Sequence, residues 1–376
     1  MYLHLGGDRV EKRIRLALVG LGDMGSGHLY GFDRISECEI TWVADPHESN
    51  LARALGILKN NKPQVCTDHD QLLLHSDDYD AVVISVPNYL HRDVALPFIA
   101  IGKPLFLEKP VASTLGQCNE IIQAAEERGV PVQIGLVYRY SNVYRRMAQE
   151  VKRGRLGDVT MMWCKEFRDP FPPRDWFYDE SLSGGALVEK DCHHFDIFNW
   201  MIGAKPVRVF ASGGQHVIRR GQDNLITNNY THYAPRNITN SSIVDHAWVT
   251  IDYDNGSKAM LGLCMYLKPY NLTDEGLEIG LIGSNGAQMV AKKDKSIDIS
   301  GGEDFTKEYI DLDVVSDSVD GGHTGSQKQR YAFLNTVRTG ELPFADLNIG
   351  KEALLIALAA EKSIKEERYV YLHELI

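Results

Sequence analysis

Short, almost unbroken apolar runs recur through the first third of the chain, and amphipathic stretches separate them. Residues 14–19, 40–44, 81–86, 105–107 and 132–136 read as strands, while 91–101 and 114–128 carry apolar residues at helical spacing. Strands apolar on both faces must be covered on both faces. Strand–helix alternation with this rhythm therefore points to a parallel, doubly wound sheet.

Directly after the first run comes Gly20-Leu21-Gly22-Asp23-Met24-Gly25, a G-x-G-x-x-G that opens a helix. Its first glycine allows a tight turn, the second lets backbone approach a pyrophosphate, and the third lets helix pack on strand. Asp45 follows the second strand, where a carboxylate can accept bonds from ribose hydroxyls. It would repel a 2′-phosphate, and Pro46, His47 and Glu48 offer no arginine beside it. The expected cofactor is NAD rather than NADP, held by a Rossmann domain. Candidate cofactor contacts are Gly20, Gly22, Asp23, Met24, Gly25 and Asp45, with Ser85, Pro87, Asn88, His91, Glu108 and Lys109 from later strand ends.

The rhythm changes after a charged helix at 142–153 that ends at Gly154. Long strand-like stretches follow from 159 onward, and 246–253 and 258–266 flank Asp254-Asn255-Gly256, residues that tolerate the positive φ of a hairpin turn. This half reads as an α+β domain with a large, mostly antiparallel sheet. Residues 221–242, rich in Asn and Thr, read as a long loop. With 376 residues, 44% of them hydrophobic, the chain can build two cores. The expected division is 1–137, NAD-binding, and 138–376, for substrate and oligomerisation. A sheet face left uncovered by helices usually seeks a partner, so a homodimer or homotetramer through the second sheet is expected.

The net charge of −11, without any basic run, argues against nucleic acid or an anionic membrane as partner. No stretch of about 18 uninterrupted apolar residues occurs, and the N-terminus lacks the apolar core of a signal peptide. Six scattered cysteines without a C-x-x-C pair read as reduced thiols of a cytoplasmic protein.

Two motifs carry chemistry. Residues 106–110, FLEKP, end an apolar strand at the sheet edge where open α/β folds bind ligands, beside Ser85-Val86-Pro87-Asn88-Tyr89-Leu90-His91. Further on, Ser183-Gly184-Gly185 leads a helix ending near Gly203. Val188, Cys192, Phe195 and Ile202 form its core stripe, and Glu189 and His193 are four residues apart on the next face. Oxidation of an alcohol needs a base for the hydroxyl proton, and a histidine tuned by a carboxylate supplies one. Cys192, His193, His194 and Asp196 fan over different helix faces, so no metal is expected. Tyr138, Arg139, Arg168 or Arg174, Trp176, His194 and His323 are further candidates to line a sugar site, together with Lys109, Glu189 and His193. No paired arginines are evident to clamp a phosphate or carboxylate, which favours a neutral polyhydroxylated ring.

Gly20/Gly22/Gly25, the Pro87-Asn88-Tyr89-Leu90-His91 loop, Glu108-Lys109-Pro110 and the Gly184-Gly185…His193-x-x-Asp196 helix together resemble the Gfo/Idh/MocA family (glucose–fructose oxidoreductase, inositol dehydrogenase, MocA). The likeness covers nearly the whole chain, including His323, Gly325 and a closing helix at 350–364. It implies that Lys109 bonds the substrate hydroxyl beside the nicotinamide, that Lys109–Pro110 is cis, and that Glu108 reaches the cofactor ribose or holds Lys109. It also implies His193 as the base. Glu189 is one methylene longer than the family's aspartate, and Lys190-Asp191 stand where small or apolar residues are common. The implied activity is NAD-dependent oxidation of a ring hydroxyl of a sugar, glycoside or inositol-like polyol. Two alternatives stay open: an NAD-dependent glycosidase acting by oxidation and elimination, and a sugar or NAD sensor without chemistry. Glycosidase relatives carry a different helix motif, and a sensor has no need of Lys109, Glu189 and His193 together.

Overall fold

A computed structural model describes residues 12–227, 234–268, 276–292, 296–301, 307–311 and 324–376. Six strands, β1 (Ile14–Val19), β2 (Cys38–Ala44), β3 (Gln64–Cys66), β4 (Ala81–Ile84), β5 (Leu105–Leu107) and β6 (Val132–Ile134), form a parallel sheet in the order β3-β2-β1-β4-β5-β6. The connecting helices are α1 (Asp23–Phe32), α2 (Glu48–Ile57), α3 (Asp70–Leu74), α4 (His91–Ala100) and α5 (Leu115–Arg128). Alternate residues of one strand feed opposite cores. Leu16, Leu18, Val83 and Phe106 pack with α1 and α2, whereas Ala17, Val19, Val82 and Ile84 pack with α4 and α5. That two-sided burial is why the runs read as continuous rather than alternating. Strand order reverses between β1 and β4, and a crevice opens at their carboxyl ends. The caps of α5 are legible locally: Thr114 Oγ1 accepts from Gln117 N–H at 3.3 Å, and Gly129 ends the helix at φ +63.

After α6 (Asn142–Lys152), a second sheet runs β16-β15-β14-β13-β7-β12-β11-β8-β17 among the described residues. Its strands are β7 (Val159–Phe167), β8 (Pro206–Gly214), β11 (His246–Tyr253), β12 (Lys258–Cys264), β13 (Leu277–Gly283), β14 (Gln288–Lys292), β15 (Ser296–Ser300), β16 (Glu308–Asp311) and β17 (Val370–Tyr371). All pairings are antiparallel except β7 with β12. Gly256, at φ +89, makes the expected turn between β11 and β12. Residues 221–242 are not simply a loop: β9 (Asn224–Ile226) and β10 (Arg236–Ile238) pair antiparallel within them. A short helix, α7 (Glu180–Ser183), precedes the Gly-Gly step, and the expected single helix divides into α8 (Ala186–Glu189) and α9 (Cys192–Ile202), with a break at Lys190-Asp191.

The inner face of the second sheet packs on α9 and α11 (Leu347–Glu366), while Met161, Trp248 and Met260 are exposed on the outer face. Helix α10 (Ser326–Thr339) returns to the first sheet, where Phe333 and Leu334 join the core around Phe106 and Phe32. A single cut at 137/138 would therefore separate α10 from the core it completes. Among the described residues, no helix is long and apolar enough to cross a membrane.

Candidate active site

The glycine motif forms a close-packed cradle at the crevice. Gly20 has φ +84, and a Cβ there would lie 2.6 Å from the Ser85 carbonyl oxygen; one on Gly25 would lie 1.9 Å from the Gly20 oxygen. No side chain caps α1, so its first amides face the crevice, and Ser85 Oγ is buried there without a hydrogen-bond partner. Donors, an orphaned hydroxyl and a surface without Cβ atoms fit the pyrophosphate end of a dinucleotide. Asp23 is partly exposed and Met24 half-exposed at this edge.

Asp45 is buried beside the glycine loop, accepting from Leu21 N–H (2.7 Å), His47 N–H (2.9 Å) and Asn50 Nδ2 (3.1 Å). The carboxylate thereby braces the glycine loop against the start of α2. Arg53 closes the other side, donating to the Leu21 carbonyl at 2.8 Å.

FLEKP ends β5 at the same crevice. Glu108 turns inward: Oε1 lies 2.7 Å from His28 Nε2, and Oε2 accepts from the Lys109 amide at 3.1 Å. Burial opposes its charge, but His28 and Lys109 outweigh that and lower its pKa. Of the two roles considered for Glu108, holding Lys109 is the one its contacts serve. The Lys109–Pro110 peptide is cis. His91 is fully buried, with Nδ1 2.7 Å from the Pro110 oxygen and Nε2 3.0 Å from the Val86 oxygen. Asn88 donates to the Ser183 carbonyl at 2.8 Å. His91 and Asn88, expected on the cofactor, thus brace the loop that carries Pro87 from behind.

Lys109 spans the crevice. Its Nζ lies 2.7 Å from Glu189 Oε1 and 2.8 Å from the Glu189 carbonyl oxygen, with both side chains nearly buried. Burial alone would lower the ammonium pKa; Glu189, Cys192 and Glu108 reverse the direction and raise it. Gly184 (φ +89) and Gly185 (φ +101) set the chain entering α8, and a Cβ on Gly185 would meet Glu361 Oε1 at 2.3 Å. That Glu361 oxygen accepts from Leu187 N–H at 3.2 Å. His193, on α9, is buried and stacks on Tyr138 with centroids 4.8 Å apart.

Arg139 and His194 each engage buried carboxylates. Arg139 is buried against Asp196 in a forked pair of 2.7–2.9 Å, flanked by Trp200 and Phe344. Its fork already engages a carboxylate, which makes it a strut between 137–140 and α9. His194 is fully buried between Asp191 (2.9 Å) and Glu166 (3.3 Å), the latter also 3.3 Å from Lys190 Nζ. Burial opposes imidazolium, but Cys164, Asp191 and Glu166 raise the His194 pKa well above its ordinary value. Arg168 donates to the Asp169 carbonyl at 3.0 Å and lies over Phe171, and Trp176 stacks on Phe177 at 3.8 Å, half-buried. His323 lies outside the described residues. Sequence reasoning missed Glu166, Glu361 and His28. An acid on an inward position of a strand or on the apolar face of a helix was the available signal for the first two.

Comparison with known proteins decides the family. Residues 14–136 match the model for the oxidoreductase family, NAD-binding Rossmann fold, and 148–372 match that for its C-terminal alpha/beta domain. The chain belongs to the Gfo/Idh/MocA family. As a member, it is an NAD-binding oxidoreductase. It is 24% identical to the myo-inositol 2-dehydrogenase of Thermotoga maritima over 96% of this chain and all of that one. It is 30% identical to the rhizopine catabolism protein MocA of Rhizobium meliloti, over 52% of this chain and 59% of that protein. Levoglucosan dehydrogenase in complex with NADH and L-sorbose shares the Gfo/Idh/MocA fold at TM-score 0.80, 16% identity, 96% coverage of this chain and 99% of that one.

Proposed function

We propose that this Gfo/Idh/MocA protein oxidises a secondary ring hydroxyl of a neutral sugar, glycoside or inositol-like polyol to the ketone, using NAD in preference to NADP. The observation that carries the reading is the Lys109–Glu189 pair, nearly buried and held across the crevice from two different domains. A lysine with a raised pKa is an ammonium at neutral pH, so Lys109 donates to the reacting oxygen rather than taking its proton. The proton then goes to His193, oriented by its stack on Tyr138, while Glu189 holds the Lys109 ammonium. Bound NAD supplies the acceptor for the hydride that leaves the carbinol carbon. Ground-state alcohol carries little charge and the departing proton leaves alkoxide character, so a fixed ammonium favours the transition state over the substrate.

The relatives named as inositol and levoglucosan dehydrogenases support a polyol or sugar substrate. Exposed Trp248, Met161 and Met260 on the outer face of the second sheet support a homo-oligomer formed there. NADH formation on a panel of inositols, hexoses, glucosides, sugar phosphates and 2-hydroxy acids tests the reading. Faster turnover of a phosphate or hydroxy acid than of every neutral polyol would contradict it.

A further inference from the structure

Residues 168–176 belong to the second domain, yet Arg174 ends over the first domain's glycine loop. A Cβ built on Gly22 would lie 3.5 Å from Arg174 Nη1, and Nη2 lies 3.8 Å from Asp23 Oδ2. Gly22 and Asp23 are the N-cap and first residue of α1, whose entry carries no side-chain cap. A dinucleotide's pyrophosphate would bring two negative charges to this point, and Asp23 already adds one. The helix amides offset part of that repulsion. Arg174 is placed to offset more, since a guanidinium fork matches two phosphate oxygens. Its pairing with Asp23 is long and about one-third exposed, and such pairs contribute little.

We propose that Arg174 is a cofactor-binding residue: it exchanges Asp23 for the dinucleotide's pyrophosphate and so clamps the second domain onto the bound cofactor. This rests on the NAD site described above and adds a contact that the glycine motif does not contain. Trp176 lies two residues further along the same loop, so the clamp also fixes the chain that carries it.

Calorimetry on the full chain with NAD and with ADP-ribose, which keeps the pyrophosphate and lacks the nicotinamide, tests the clamp. Arg174→Ala should weaken both ligands by the same factor, about tenfold to a hundredfold for one charge-assisted contact. Arg174→Lys should recover only part, lacking the fork. Asp23→Asn should tighten both several-fold by removing the competing carboxylate, and this variant reports on the clamp without deleting Arg174. Equal affinities of wild type and Arg174→Ala contradict the clamp alone, as does a loss for NAD with ADP-ribose unchanged. A wild-type chain that binds neither ligand contradicts the cofactor site itself and the clamp with it.

Discussion

Lys109 Nζ sits 2.7 Å from Glu189 Oε1, joining the carboxyl edge of the first sheet to the helical segment of the second domain. The pair fixes the direction of both side chains and keeps the lysine charged. Lys109→Ala should lower kcat by about 10²–10³, the usual worth of a preorganised group on the reacting oxygen. NAD affinity, measured by calorimetry, should stay within a few-fold. A variant that retains most of its kcat would show the lysine to be structural.

Removing the Glu189 charge has a signed consequence. The carboxylate helps to raise the Lys109 pKa, so Glu189→Gln should lower it. The alkaline limb of the kcat–pH profile, where the ammonium is lost, should move to lower pH. An alkaline limb that stays in place or moves upward would show that Glu189 does not sustain this charge.

His193→Ala should lower kcat by about 10²–10⁴, the range of a general-base contribution. Tyr138→Leu should give a smaller loss in kcat, because it removes the ring that stacks on His193. If Glu189→Gln abolishes turnover and His193→Ala does not, the base is the carboxylate.

The Arg139–Asp196 pair is buried, so deleting one partner strands the other charge. Arg139→Ala should cost about 3–5 kcal/mol of stability, read from denaturant unfolding. A double replacement by apolar residues, Arg139→Met with Asp196→Leu, should recover most of that loss. A wild-type-like single variant would mean that water reaches the site.

Glu361 gives a pH test of the fold. Burial, with help from Glu180 and Asp191, raises its pKa from 4.5 to about 8, against the opposing effects of the Leu187 amide and Lys365. An acid with a raised folded-state pKa contributes stability that is complete below about 4.5 and is lost as pH rises through about 8. Wild-type stability should therefore fall between pH 6 and pH 8 by ~2 kcal/mol more than that of Glu361→Gln, read as a steeper fall in Tm. Parallel profiles for the two proteins would contradict this.

What was legible in the sequence is what local pattern controls. Two-sided burial wrote the parallel strands into continuous apolar runs, and Asp254-Asn255-Gly256 marked a turn through the positive φ it needs. FLEKP and Gly184-Gly185 are the segments that lead to Lys109 and Glu189. Partners far apart in the chain were not legible. Lys109 and Glu189 are 80 residues apart, His28 and Glu108 also 80, and Arg139 and Asp196 57. The protein groups that engage Asp45, Glu108, His91 and Arg139 were likewise not legible. Strand β3, Gln64-Val65-Cys66, has two exposed residues and lacks the apolar run that marked the others, and the break at Lys190-Asp191 arises where those side chains turn to a buried network with Glu166 and His194.

The most direct measurement of the central claim is label transfer from a polyol deuterated at the ring carbon that is oxidised, followed by mass spectrometry of the cofactor and product. The account predicts one deuterium on the reduced cofactor, a stoichiometric keto product and transfer slowed by about 10²–10³ with Lys109→Ala. Label returned to the sugar with cleavage of a glycosidic bond and no net NADH, or no transfer from any neutral polyol, would contradict it.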